Sequence, residues 1–578
     1  MRTDTRLGRI TRRILIVCAL ALLGMLFLAP AALGEQNQPQ LYATLGDTLT
    51  LEDGATKIPE AIRWWYSTDE KAYYLFLPGH TQTLHLWFEG AQSATADGKA
   101  LENGADASWL LQQDSFTLQL GEKSYPVRLM RSSSVPSLFI NTESGSLDYI
   151  HRRKGNAETG AMLMTGAEGD TVYDGALLHI KGRGNATFAL NKKAYQIKLE
   201  KGTDLCGMGK AKTWILLADF RDNSLLRNKI AFDLARAAGL EYTSESQTVD
   251  LYVNNDYLGA YLLCEKVEIG DTRVDIADLG KATEKLNDAA LDSYKRYGYN
   301  TYRLATQKGF QIPTDPDDIT GGYLFELDYK MRYSDELSGF VTRRGQAVVV
   351  KEPEAASAAQ ISYISAFYQG FENAIHAEDG IDPASGKHYS EFVDMDSLVK
   401  KYILEEVLKN RDANRSSLFF YKPADEQSAV AFAGPAWDYD ASLGNYATHK
   451  GDDTLNPATF LVNCDTGENY YLFPTLYGHA DFQKAVAQMY QTVFAPALEV
   501  LLGQRKDESG TLLSLDEYAS QIEACAAMNF VRWPVFNSKA RVAQTGVNYE
   551  ENITYLKTFI SARMAFLNGA WPLTLTTP

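Results

Sequence analysis

Between Gln40 and Asn141 the apolar residues come in short alternating runs, LYATL, AYYLFL, TLHLWF, FTLQL and YPVRLM, with Gly, Asp and Asn between them. Alternation at period two, broken by turn residues, is the mark of half-buried strands, so 35–141 reads as a small β-sandwich-like domain. Trp64, Trp65 and Trp87 serve it either as core or as a ligand face, and base rates for large aromatics favour the core. After a polar connector at Ser144 to Gly169 the runs lengthen. ALLHI from Ala176, the stretch Ala194 to Glu200, and TWILLADF read as strands. SLLRNKIAFDLARAAG then changes to helical spacing, with Leu225, Leu226, Ile230, Leu234 and Ala238 on one face, Asp222 or Ser224 to cap it and Gly239 to end it. TVDLYV and YLGAYLLCEKVEI flank Asn254-Asn255-Asp256 as a hairpin. The polar stretch from Asp271 to Asp318 reads as an insertion, and GGYLFELDY resumes the strands with Glu326 and Asp328 near its end. From Ala355 on, helical periodicity dominates, as in ISYISAFYQGFENAI and VNYEENITYLKTFISARMAFLNGAW.

The stretch Lys409 to Asn445 stands out within this pattern. A helical run, DSLVKKYILEEVLKN, ends in a polar loop carrying Asp412 and Asn414 into the strand Leu418 to Lys422. A turn at Pro423 to Gln427, a short strand from Ala429 and the acidic corner Trp437-Asp438-Tyr439-Asp440 follow. A two-stranded ribbon returns the chain to its start, so the two carboxylates at its ends are brought together. Such a pair holds a divalent metal, or one member holds metal while the other accepts a proton. Taken singly, each Asp also fits a plain turn cap.

Lys181-Gly182-Arg183-Gly184-Asn185 makes a glycine-rich turn whose backbone N–H groups are able to approach phosphate oxygens, with Arg183 adding charge. Alternation puts Lys198 on the face opposite Tyr195, Ile197 and Leu199, aimed at those phosphates or simply at solvent. Gly207-Met208-Gly209-Lys210 is no P-loop: it lacks the spacing and the following Ser or Thr, and it precedes a strand.

At 578 residues, with 45% hydrophobic and 22% charged composition, the chain is too long for one core, and two or three domains are expected. A formal charge of −17 argues against a general binder of nucleic acid polymers. The N-terminus carries Arg2, Arg6, Arg9, Arg12 and Arg13, then ILIVCALALLGMLFLAP and the small residues Ala31 to Gly34, the layout of an export signal at 1–34. Uncleaved, the same run is nearly long enough to anchor in a membrane. Past it, Cys206, Cys264, Cys464 and Cys525 allow three pairings or free thiols, and no zinc-type spacing links them to the histidines.

The ordered set KGRGN, KKAYQIKL, GMGKAKTWILLADFRDNSLLRNKIAFDLA, YLGAYLLCEKVEIG, GGYLFELD, KNRDANRSSLFFYK and PAWDYDASLGN, running from about Ala176 to Trp571, strongly resembles the spore-coat CotH kinase family. The resemblance implies an α+β fold, a two-lobed domain like that of atypical protein kinases, preceded by the small all-β sandwich. Its N-terminal lobe would span 142–330, with an insertion near 271–320, and its mainly helical C-terminal lobe 331–578. It implies ATP and Mg²⁺ or Mn²⁺ as the nucleotide and metal. It makes Asp412 the catalytic carboxylate and Asp438 a metal ligand, with Asp440 a second ligand or a cap. Lys198 becomes the phosphate lysine, with Lys193 or Arg183 as substitutes beside Gly184 and Asn185. The strand end at Leu263 to Lys266, including Cys264 and Glu265, resembles the segment that holds adenine by its backbone. Many relatives carry Asn five residues after the catalytic Asp, where this chain has Ser417, with Asn410 and Asn414 nearby, so Ser417 and Asn414 stand as alternative metal ligands. The helix after Lys198 offers Asp233 but no Glu to pair with that lysine. The implied activity is transfer of the γ-phosphoryl group to Ser or Thr of secreted or surface proteins, by an exported protein that meets a membrane only if its signal is not cleaved. The alternatives are a non-catalytic surface-binding protein that keeps the fold and a structural calcium protein using WDYD.

Overall fold

The computed structural model describes residues 39–45, 61–88, 94–298, 305–446, 453–463, 471–536 and 546–573. The expected export signal at 1–34 lies outside these residues, as do Cys18, His449 and Cys464. The chain forms two compact units, Met1–Leu77 with Thr81–Met130, and Pro78–His80 with Arg131–Pro578.

The first unit is built on two sheets. Strands β1 (Leu41–Thr44), β2 (Ala61–Arg63) and β5 (His85–Phe88) make one, in the order β2-β1-β5. Strands β3 (Trp65–Ser67), β4 (Ala72–Leu77), β6 (Ala94–Ala96), β7 (Lys99–Leu101), β8 (Ser115–Leu120) and β9 (Lys123–Arg131) make the other, in the order β3-β4-β9-β8-β6-β7. Alternation has its usual cause here: Phe116, Leu118 and Leu120 of β8 point inward while the residues between them stay exposed. Trp64 is buried edge-on to Tyr73 and Phe116, with ring centroids 6.2 and 6.0 Å away, and belongs to the core.

In the second unit, seven strands close a barrel: β10 (Ser137–Thr142), β11 (Ala157–Thr165), β12 (Thr171–Arg183), β13 (Ala194–Asp204), β14 (Lys210–Leu217), β15 (Ser246–Val253) and β16 (Asp256–Glu265). Neighbours run antiparallel except β10 and β15, whose parallel pairing shuts the ring. β10 is therefore a barrel strand, and the break expected at Asn141 falls at Met130; backbone groups of β10 are met by β11 and β15. On β13, Tyr195, Ile197 and Leu199 fill the barrel. β16 is buried on both faces, with Tyr261 and Leu263 inside and Ala260, Leu262 and Cys264 in a second core outside, which explains its unbroken apolar run. Its hairpin turns through Asn254 and Asn255, at φ 51° and 74°, a conformation Asn tolerates better than most residues.

The remaining strands, β17 (Arg296–Tyr297), β18 (Gln307–Phe310), β19 (Tyr323–Asp328), β20 (Ser338–Val341), β21 (Ala347–Glu352), β22 (Leu418–Lys422) and β23 (Phe432–Ala433), form a sheet in the order β17-β18-β20-β21-β19-β22-β23. The polar stretch Asp271 to Asp318, expected to be an insertion, supplies β17 and β18 to it. Its charges are accommodated inside: Lys308 is buried and donates to the carbonyls of Tyr333 and, at 2.6 Å, Glu336. The boundary expected at residue 330 likewise cuts this sheet, because β19 pairs with β21 and β22 beyond it. Five helices matter below: α1 (Arg227–Ala237), α2 (Ala358–His376), α3 (Met395–Leu408), α4 (Glu523–Arg532) and α5 (Tyr549–Ala570). α2 opens on a capping box between Ser357 and Gln360. Among the described residues no helix is long and apolar enough to cross a membrane, and Cys206, Cys264 and Cys525 are free thiols. The fold is mixed α+β.

Candidate active site

Two loops are laced together by buried polar side chains. After β14 the chain turns at Asp219, φ 44°, and enters α1, whose first amides are met by Asp222: its Oδ2 accepts from Leu226 N at 3.0 Å and Arg227 N at 2.8 Å. Arg227, fully buried, pairs with Asp222 and donates from Nε to Ser442 O at 3.0 Å and from Nη2 to Leu443 O at 3.2 Å. Asn228 donates from Nδ2 to Asp219 Oδ1 and accepts Tyr439 N on its Oδ1, both at 2.8 Å. Asn445 completes the lacing by donating to Arg221 O at 3.0 Å and Asp440 O at 2.7 Å. The residues 219–228 thus fix the acidic corner Trp437–Asp440.

The loop after α3 is fixed to the same corner. α3 starts at Asp394, which accepts Ser397 N at 2.7 Å, and stops at Lys409, left-handed at φ 47°. Beneath it lies a buried set: Lys401 meets Glu405 at 2.6 Å, Tyr439 donates to Glu405 at 2.7 Å, and Asn410 donates to Glu405 at 2.8 Å. Arg411 N then donates to Ala441 O at 3.3 Å. Asp412 Oδ1 accepts from Tyr329 Oη and Arg411 Nη1, each at 3.2 Å. Ser417, at φ 59°, gives its N–H to Glu326 Oε1 at 2.9 Å and its Oγ–H to Asp438 Oδ2 at 3.3 Å. The ribbon β22 and β23 returns the chain to Asp438, itself at φ 68°.

Asp412, Asp438 and Asp440 open onto one cleft of about 450 Å³, together with Arg183, Gly184, Asn185, Lys266 and Ser417. Eight basic and seven acidic side chains line it, so basic groups gather here on a chain of net charge −17. Glycine is required in the turn on geometric grounds. A Cβ on Gly184, at φ 92°, would run into Thr187 Oγ1, and one on Gly182 would meet the Phe188 ring at 2.5 Å.

Other expected site residues lie elsewhere. Lys198 shares the outer face of β13 with Gln196, but Gln196 and Ala194 line the cleft and Lys198 does not. Lys193 donates to Phe188 O at 2.8 Å and Leu190 O at 2.9 Å, so it fastens the turn. Asn414 donates to Val462 O at 2.7 Å and accepts Phe473 N at 3.2 Å, a strut between loop and helix in place of a metal ligand. Cys264 and Glu265 belong to the barrel ladder, and Glu265 pairs with Arg273; Lys266 and Val267 are the part of that segment that reaches the cleft. Asp233 serves α1, paired with Lys229 at 2.7 Å and accepting from Tyr518 Oη. The sequence reading missed Asp219, Arg221, Arg332, Glu336 and Lys351 in the cleft, and noticed Glu326 and Asp328 without giving them a role. A signal was present: FELD and VVVKE each set a charge into an otherwise apolar strand.

Three of the buried acids, Asp438, Asp440 and Asp219, resist ionisation. Burial, then the charge of Asp412, raises Asp438 above the ordinary carboxylate value, against Arg183, Arg332 and the Ser417 hydrogen bond. Asp440 is raised well above it by burial, then by Asp438, Asp412 and Asp219. Asp219 is pushed up to about 7 by burial and Asp222, against the Asn228 hydrogen bond and the Lys192 charge. Carboxylates that raise one another in this way match the chemistry of a divalent cation, whose charge lets them ionise together. Among the described residues no three His, Cys, Asp or Glu side chains form a ready metal cage.

Compared with known families, the chain matches the family described as CotH kinase protein over residues 180–567, which takes in every carboxylate of the cleft. No curated protein matches it.

Proposed function

The chain belongs to the CotH kinase family, and from that premise we propose that it moves the γ-phosphoryl group of ATP to Ser or Thr hydroxyls of secreted or surface proteins. The observation that carries this reading is the convergence of Asp412, Asp438 and Asp440 with a glycine turn and basic side chains in one cleft. In it, the barrel acts as the nucleotide-side lobe, and the seven-stranded sheet with its helices as the other. Asp412, steadied by Tyr329 and Arg411, accepts the proton of the acceptor hydroxyl as that oxygen bonds to the γ-phosphorus. The bond from phosphorus to the β-phosphate oxygen breaks, and nucleoside diphosphate leaves with the electron pair. Asp438 and Asp440 are the residues to hold Mg²⁺ or Mn²⁺, which when bound neutralises phosphate charge. Arg183, stacked over Trp437 at 5.1 Å, is held where its charge acts on Asp438. Export, from the N-terminal segment, is part of the same proposal.

The test is radiolabel transfer from ATP to a panel of Ser- and Thr-containing proteins with Mn²⁺ or Mg²⁺. Transfer by the wild-type chain and its loss in Asp412→Ala support the reading. Full metal-dependent transfer by Asp412→Ala rejects the mechanism, and a wild-type chain that binds nucleotide without transferring supports a non-catalytic CotH-fold protein.

A further inference from the structure

With Lys198 outside the cleft, the phosphates need another lysine, and Lys193 is tied to backbone carbonyls. We propose that Lys351, at the end of β21, is the lysine that contacts the transferred phosphates, and that Glu326 positions it; this rests on the phosphotransfer reading above.

Lys351 shares the cleft with Asp412 and Asp438. Its Nζ lies 3.3 and 3.4 Å from the two carboxylate oxygens of Glu336 and 3.8 Å from Glu326 Oε2. Such long contacts orient an ammonium without saturating it. Lys192, also at the cleft, is the contrast: its Nζ donates to Ala218 O and Asn529 Oδ1 at 2.8 Å and to Ala260 O, which uses all three of its protons. Lys154 donates to Asn185 Oδ1 at 2.6 Å on the turn.

The second line of argument is connectivity. Glu326 is 6% exposed, and its other oxygen accepts Ser417 N, while Ser417 Oγ donates to Asp438. Lys351, Glu326, Ser417 and Asp438 therefore form one continuous chain that sets the ammonium at a fixed place relative to the carboxylate assigned to metal. The left-handed backbone of Ser417 is a conformation that costs a non-glycine residue energy, and it directs both of that residue's hydrogen bonds. β21 is paired on both sides up to Val350, with β19 and β20, and Lys351 stands at the bulge that follows on the β19 side. Burial works against the charge on Lys351, yet Glu326 and Glu336 outweigh it and keep the ammonium protonated. Glu336 is the more exposed partner, at 35%, and is the one that phosphate oxygens displace, leaving Glu326 to hold the lysine.

The experiment is calorimetric titration of ATP with Mn²⁺ into wild type, Lys351→Met and Lys351→Arg, with steady-state kinetics on Glu326→Gln and Glu326→Asp and a ligand-free thermal melt of each. Lys351→Met is expected to weaken nucleotide binding by about ten- to a hundredfold, the loss of one charge-assisted hydrogen bond, with part restored by Lys351→Arg. Glu326→Gln is expected to lower kcat more than it raises the nucleotide KM, and Glu326→Asp to recover part of kcat. Lys351→Met binding within about twofold of a wild type that binds overturns the assignment and leaves an ion pair joining β21 to β19. A folded wild type that binds no nucleotide overturns both this inference and the reading beneath it.

Discussion

Asn228 holds two loops with one amide, one end on Asp219 and the other on the backbone of Tyr439. Asn228→Ala is expected to cost about 1–3 kcal/mol, since it strips partners from buried polar groups, as read from denaturant unfolding, and to weaken metal-dependent nucleotide binding. Asp412→Asn is expected to lower transfer by about 10²–10⁴-fold, the range for a positioned base, with the nucleotide Kd unchanged by calorimetry. At this scale the sequence was uneven as a guide. That Asp412 and Asp438 meet in one cleft was legible because a helix end and a ribbon are local structures whose return path is short. For Lys198, alternation named the correct face of β13 but not which residues along that face meet the cleft, and the difference between Gln196 and Lys198 is one step of the pleat. Glu326 and Lys351 come from strands that pair only through the sheet, where nothing in the local pattern sets the register.

Among elements, the join between the barrel and α4 is the most charged with consequence. Asp250 on β15 is fully buried and accepts from Tyr257 Oη at 3.1 Å and Cys525 Sγ at 3.3 Å. Burial pushes its carboxyl up to about 6, against the hydrogen bonds from Cys525 and Tyr257 and the charge of Lys192. From the ordinary carboxylate value near 4 up to about 6 the unfolded chain gives up this proton while the folded chain keeps it, so stability falls as pH rises through that window. Asp250→Asn removes this contribution, and its unfolding midpoint, followed by chemical denaturation from pH 4 to 6.5, is expected to decline less steeply than that of wild type. The loop after the acidic corner offers a second check at this scale. A Cβ on Gly444, φ 71°, would run into Tyr555 Oη and meet the Phe559 ring at 2.9 Å on α5. Gly444→Ala is therefore expected to destabilise by about 1–3 kcal/mol, measured by urea unfolding. Helix α1 was readable from period and caps, and α2 and α5 from period alone. β17 and β18 were not, because a polar composition concealed strands whose charged groups are satisfied by carbonyls.

For the molecule as a whole, every residue of the candidate site belongs to the second unit. Residues 131–578 alone are expected to keep nucleotide binding, and ATP with Mn²⁺ at one hundred times Kd to add about 2.7 kcal/mol of stability, seen as a raised Tm in the same preparation. No shift of Tm at saturating ligand would count against the cleft as a nucleotide site.

The ring of strands has a consequence for the order of events during synthesis. Thr142 on β10 is clasped by Asn254, 112 residues further on, and Lys192 at the cleft finds its acceptor Asn529 only after 337 more residues have been made. A nascent chain emerging from the ribosome therefore carries an open barrel until β16 has been made, and the ammonium beneath the cleft lacks one of its three acceptors until α4 arrives. A product truncated ahead of residue 529 would retain Asp412 and Asp438 and still leave that ammonium one acceptor short.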